Sequence, residues 1–121
     1  MKKAHRSQFI KEVKEKYPEL RVHISQEQGL LSLELAVFGK FIQQKIDNLE
    51  KDIVTDAFQI LNKFYINGNL ALKHAIRDLV CEDLIFSDTQ VAERRWAFIL
   101  LPEALKEERI QWFTFMGYER E

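Results

Sequence analysis

The stretch from Asp52 to Leu84 constrains the fold most tightly, because it reads as two amphipathic helices joined by the turn Asn67-Gly68-Asn69. Ile53, Val54, Ala57, Phe58, Leu61, Phe64 and Tyr65 recur at the spacing of one helical face. Leu72, Ala75, Ile76, Leu79 and Val80 repeat that spacing after the turn. Gly68 is expected to adopt the left-handed backbone that ends a helix, and Asn69 to cap the next. With four Gly and two Pro in 121 residues, the chain has few points at which a helix is broken. It is therefore expected to be one all-α domain over residues 1–121.

Helices are predicted on both sides of this hairpin. Ser7 is a candidate N-cap for a first helix with the stripe Phe9, Ile10, Val13 and Tyr17, stopped by Pro18. Residues 20–35 allow two readings. Leu20, Val22 and Ile24, then Leu31, Leu33 and Leu35, alternate as a short β-hairpin would. The preferred reading is a helix from about Leu30 to Ile46, because Leu31, Leu35, Phe38, Phe41, Ile42 and Ile46 keep a 3.6-residue spacing. Ser87 and Gln90 have capping-box form ahead of a fifth helix carrying Val91, Ala92, Trp96, Ile99 and Leu100. Pro102 opens a sixth, with Ala104, Leu105, Ile110 and Trp112, and Gly117 ends it. About six helices with short joints predict an antiparallel up-and-down stack resembling a short helical-repeat array.

Charge excludes some functions. The formal net charge is −1, so the whole chain has no attraction to nucleic acid or anionic lipid. Residues 1–16 are locally basic, with six Lys or Arg against two Glu, which is read mainly as the solvated face of a terminal helix. No stretch approaches the roughly 20 apolar residues of a membrane span, and Lys11, Glu12 and Lys14 interrupt any signal-like run. Cys81, the single cysteine, has no internal disulfide partner, consistent with a reducing, cytoplasmic setting.

No catalytic motif is present, and neither enzyme activity nor a cofactor is expected. His74, Asp78 and Cys81 follow one another at helical spacing, yet Cys81 beside Val80 reads better as a small buried hydrophobe than as a metal ligand. Glu34 is the one charged residue between Leu30 and Phe38; a partner arginine or a solvent-facing position accounts for it more simply than an acid–base role does. Acidic residues gather at two joints: Asp47, Glu50 and Asp52 at one, Glu82, Asp83 and Asp88 at the other, with Asp56 one turn inside the third helix. In an up-and-down stack these joints share an end, and such a rim would steer a basic partner. Acids that complement a helix N-terminus explain Asp52 and Asp88 equally well, but not Glu82 and Asp83 at a helix C-terminus. The aromatic C-terminal run, with Trp112, Phe115 and Tyr118, is a second candidate contact surface, although folding back over the core is the commoner fate of such a tail.

Pro18-Glu19-Leu20, Gly29-Leu30-Leu31-Ser32-Leu33, Phe64-Tyr65-Ile66-Asn67-Gly68-Asn69, Leu79-Val80-Cys81-Glu82-Asp83-Leu84 and Arg95 to Pro102 stand in an order that resembles an uncharacterised family of small all-helical bacterial proteins. That family includes proteins regarded as immunity partners in contact-dependent or secreted toxin systems. The resemblance implies a cytoplasmic, non-catalytic immunity protein that binds a cognate toxin, such as a basic nuclease domain, with no direct contact to nucleic acid or membrane. A structural or adaptor subunit anchored by the C-terminal aromatics is the alternative.

Overall fold

The computed structural model describes residues 3–26, 30–85 and 94–116. Among them are seven α-helices and no strand: α1 (Arg6–Lys16), α2 (Arg21–Gln26), α3 (Leu31–Asp47), α4 (Lys51–Asn67), α5 (Leu70–Asp78), α6 (Arg95–Leu100) and α7 (Glu103–Met116). A 3-10 turn, Pro18–Leu20, links α1 to α2, and a π-helical turn, Leu79–Asp83, continues α5. None of these helices is long and apolar enough to cross a membrane.

The all-α reading holds, while the region around residue 20 resolves differently from the hairpin alternative. Pro18 stops α1 as expected, but Leu20 and Ile24 are then buried from a helical turn and α2, leaving Val22 exposed. Four residues from Leu20 to Ile24 span about one helical turn, so both side chains reach the same core without a strand. Helix α1 starts one residue before Ser7. Its N-cap is His5, whose backbone N–H donates to Gln8 Oε1 at 2.7 Å.

The core surrounds α3, which buries Leu35, Phe38, Phe41, Ile42 and Ile46. Helices α1, α2, α4, α5 and the π turn all touch α3, and α7 reaches back to α5 and the π turn. A repeat array joins each unit mainly to its sequence neighbours. Here α1, α5 and the π turn also pack on α3, and α6 on α4, contacts that skip neighbours in the chain. Phe9 meets Phe38 and Phe64 edge-on at ring distances of 6.0 and 5.2 Å, tying α1 to both α3 and α4.

The turn between α4 and α5 corrects one expectation and bears out another. Gly68 is extended, at φ −78° and ψ 161°, so its backbone does not require glycine. Space does: a Cβ there would sit closer to the Phe64 carbonyl oxygen than real Cβ atoms come, and 3.0 Å from Leu72 Cδ2. The chain start closes over the same turn, with Ala4 N–H donating to the Asn67 carbonyl at 2.7 Å and Asn69 N–H to the Ala4 carbonyl at 2.8 Å. Asn69 caps α5 by accepting from Leu72 N–H at 2.9 Å.

Past Asp78 the helix widens, and Leu84 N–H bonds the Leu79 carbonyl five residues back. Gly39 lets Leu79 approach α3, since a Cβ there would stand 3.1 Å from Leu79 Cδ1. Buried Arg109 of α7 donates to the Val80 and Cys81 carbonyls at 2.6 and 3.2 Å, placing a cation where the turn leaves carbonyls open. In α6 the buried residues are Ala97 and the following Leu101; Ile99 and Leu100 face outward, against the predicted stripe. The Ser87–Gln90 capping box, Val91, Ala92 and Gly117 lie outside the described residues.

Candidate functional site: the acidic end of α3

The joint between α3 and α4 is built as a Schellman ending. Leu49 N–H donates to the Ile46 carbonyl at 3.1 Å and Glu50 N–H to the Lys45 carbonyl at 2.9 Å. The motif needs a left-handed residue, and Leu49 supplies it at φ 60°. Glycine is the usual occupant because a Cβ crowds the following carbonyl. Where a hydrophobic contact often closes the motif, Lys45 Nζ lies 3.1 Å from Glu50 Oε2 instead. Leu49 is 55% exposed on this strained turn. It flanks a shallow hollow of about 430 Å³ with Glu50, Lys51, Asp52 and Ile53.

Gln43 brings the second joint to this end. Its amide accepts from Ile85 N–H at 2.8 Å and donates to the Ile85 carbonyl at 3.0 Å, imitating a strand partner. Asp47 also accepts from Gln43 at 3.3 Å and from Arg94 Nε at 2.9 Å. Ile85 is exposed and follows exposed Glu82 and Asp83 in the chain. Burial, with a smaller contribution from neighbouring Asp78, raises the Asp83 carboxyl above its ordinary range.

The expected acidic residues divide by their partners. Asp47 pairs with Arg94, Glu50 with Lys45, and Asp56 with Lys16 of α1 at 3.7 Å. Asp52, Glu82 and Asp83 have no ion-pair partner among the described residues. Asp88 lies outside them, as does Tyr118. On α7, Trp112 is half-buried against Phe113 at a ring distance of 5.3 Å, and Phe115 is 85% exposed.

Sequence reading did not single out Leu49, Gln43, Ile85 or Arg94. The one available signal was a joint between helices, Asn48-Leu49-Glu50, that lacks the glycine such a joint normally carries. Cys81 is buried, and burial first, then Glu108, pushes its thiol up to about 12. Among the described residues no group of three His, Cys, Asp or Glu side chains is placed to hold a metal ion. Glu34 is buried and accepts two hydrogen bonds from Arg6, so the partner-arginine alternative is the one found.

Neither the curated proteins nor the solved structures contain a match to this chain. Residues 10–116 match the family described as "Domain of unknown function (DUF7674)", and the chain belongs to that family.

Proposed function

We propose that this protein is a non-catalytic binding protein that docks a basic protein domain on the acidic end of α3, and that the partner is a bacterial toxin domain it neutralises. The observation that carries the reading is Leu49, an exposed leucine held at positive φ where folding alone favours glycine. Strain retained at an exposed apolar side chain suits a contact residue, and hot spots commonly pair an apolar centre with a charged rim. Leu49 and Ile85 supply the apolar part; Asp52, Glu82 and Asp83 supply charge with no ion-pair partner among the described residues. The toxin class rests on the sequence resemblance.

Co-expression with the open reading frame directly upstream, followed by affinity purification, tests the proposal. The expected result is a stoichiometric complex, with growth restored only when this protein is present. Replacing Asp52, Glu82 and Asp83 by Lys should slow association at low salt while the thermal midpoint stays nearly unchanged. Absence of toxicity and of a complex would end the immunity reading.

A second reading is an adaptor subunit anchored by α7, favoured by the 85% exposure of Phe115. A complex that survives the triple Lys substitution but is lost with Phe115→Ser would support it.

A further inference from the structure

The opposite end of α3 carries a site of contrary sign. Glu34, in the first turn of α3, lies about 20 Å from Asp47 along the helix at 1.5 Å per residue. Above it opens a cleft of about 410 Å³ lined by Arg6, Lys11 and Lys14 of α1 and by Arg21 at the start of α2. Glu34 is 1% exposed and accepts from Arg6 Nε and Nη2, each at 2.6 Å. That fork fixes the guanidinium and leaves its Nη1 donors without a hydrogen-bond partner among the described residues, on a side chain 36% exposed.

The other cations are also steadied. Lys14 Nζ donates to Ser25 Oγ at 3.1 Å, and Arg21 Nε to the Lys14 carbonyl at 3.4 Å, so α1 and α2 present Lys14 and Arg21 together. Glu15, 3.9 Å from Lys11, offsets one positive charge, and Glu34 offsets that of Arg6. Lys14 and Arg21 remain in excess. The lining residues include Ser7 and Ile10 but no aromatic ring on which a base would stack. A small anion with closely spaced charges therefore suits the cleft better than a nucleic acid strand.

We infer that this cleft binds a small phosphate-type polyanion, free pyrophosphate or the diphosphate arm of a nucleotide, between Arg6, Lys14 and Arg21. Arg6 is held in place before the ligand arrives, which lowers the ordering cost of binding. The site shares no residue with the acidic end and does not depend on the function proposed for it.

Calorimetric titration of the full chain with sodium pyrophosphate at about 0.15 M salt, where exposed charges are screened beyond roughly 8 Å, tests the inference. Saturable one-to-one binding is expected, at least tenfold weaker in Lys14→Ala and in Arg21→Ala and unchanged in Lys73→Ala on α5, a lysine that does not line the cleft. Both cleft substitutions fall on side chains outside the core, so folding is preserved and is checked by the thermal midpoint. An ADP titration separates the sources: equal affinity assigns the site to the diphosphate alone, and tighter ADP binding assigns it to a nucleotide. Non-saturable heats, or affinity indifferent to both cleft substitutions, would overturn the inference. So would self-association abolished by Lys14→Ala without pyrophosphate binding, because the occupant would then be the acidic end of a second copy.

Discussion

Arg6 on α1 and Glu34 on α3 are joined by two parallel hydrogen bonds of 2.6 Å, and the carboxylate end of that pair is buried. The bond to Glu34 holds the guanidinium above its usual range, with burial partly opposing. The pair fastens the N-terminal helix to the central one. Removing one partner of a buried pair leaves the other charge without compensation. Arg6→Ala should therefore lower stability by about 2 kcal/mol, less than the ~3–5 kcal/mol of a fully enclosed pair because the Arg6 side is open to water. The double replacement Arg6→Met with Glu34→Leu should recover most of that loss. Chemical denaturation of the three proteins measures it, and an Arg6→Ala protein as stable as the parent would show that the pair contributes nothing.

Leu49 offers the reverse case, a substitution that should stabilise. Its left-handed backbone costs about 1 kcal/mol relative to glycine, so Leu49→Gly should raise unfolding free energy by about 0.5–1 kcal/mol. The same change should weaken the complex proposed above, because the exposed side chain is lost. Denaturation and affinity measured on one preparation separate the two effects. Stabilisation without weakened binding would remove Leu49 from the interface.

Gly68→Ala should destabilise by about 1–3 kcal/mol, the usual cost of forcing a group into filled space. The cause is the Phe64 carbonyl and Leu72, since the backbone at Gly68 is extended and admits any residue. Asn69 provides a control. Asn69→Ala removes the cap to Leu72 N–H and should cost about 1 kcal/mol without crowding the turn. Thermal midpoints rank the two; Gly68→Ala matching the parent would mean that the turn shifts freely.

Stability should fall in alkali. Burial pushes the Cys81 thiol from 9.0 to about 12, with Glu108 adding to the effect. Burial and then the Glu108 hydrogen bond push Tyr65 from 10.0 to about 12, and burial with nearby Asp56 and Glu19 does the same for Tyr17. Each folded-state value lies above the unfolded one, so each contribution is complete below the unfolded pKa and is lost as pH rises towards the folded one. The thermal midpoint should drop from about pH 9 upward, and Cys81→Ala should delay the onset towards pH 10, where the tyrosines begin to ionise. A midpoint level from pH 8 to 11 would contradict this.

Local periodicity was a sound guide wherever a helix packs by its own stripe. Phe9, Ile10, Val13 and Tyr17, and likewise Leu35, Phe38, Phe41, Ile42 and Ile46, are buried as their spacing predicts. It misled in α6, where Ile99 and Leu100 face outward. That helix has only six residues, too few for a stripe to define one face.

The sequence by itself determined the helical class, the stop at Pro18, the Asn69 cap and the buried faces of α1, α3, α4 and α5, whereas in α7 only Leu105 of the predicted stripe is buried, beside Arg109. Those properties arise from interactions within about four residues, which adjacent letters encode directly. Tertiary structure alone decided that α3 is central, that Arg6 is the partner of Glu34, and that Gln43 holds Ile85 at the acidic end. It also decided why residue 68 is glycine, and that the chain beyond Asp78 widens under Arg109. Each of these joins groups distant in the chain, through contacts whose energy depends on how whole helices pack, and no local pattern carries that information.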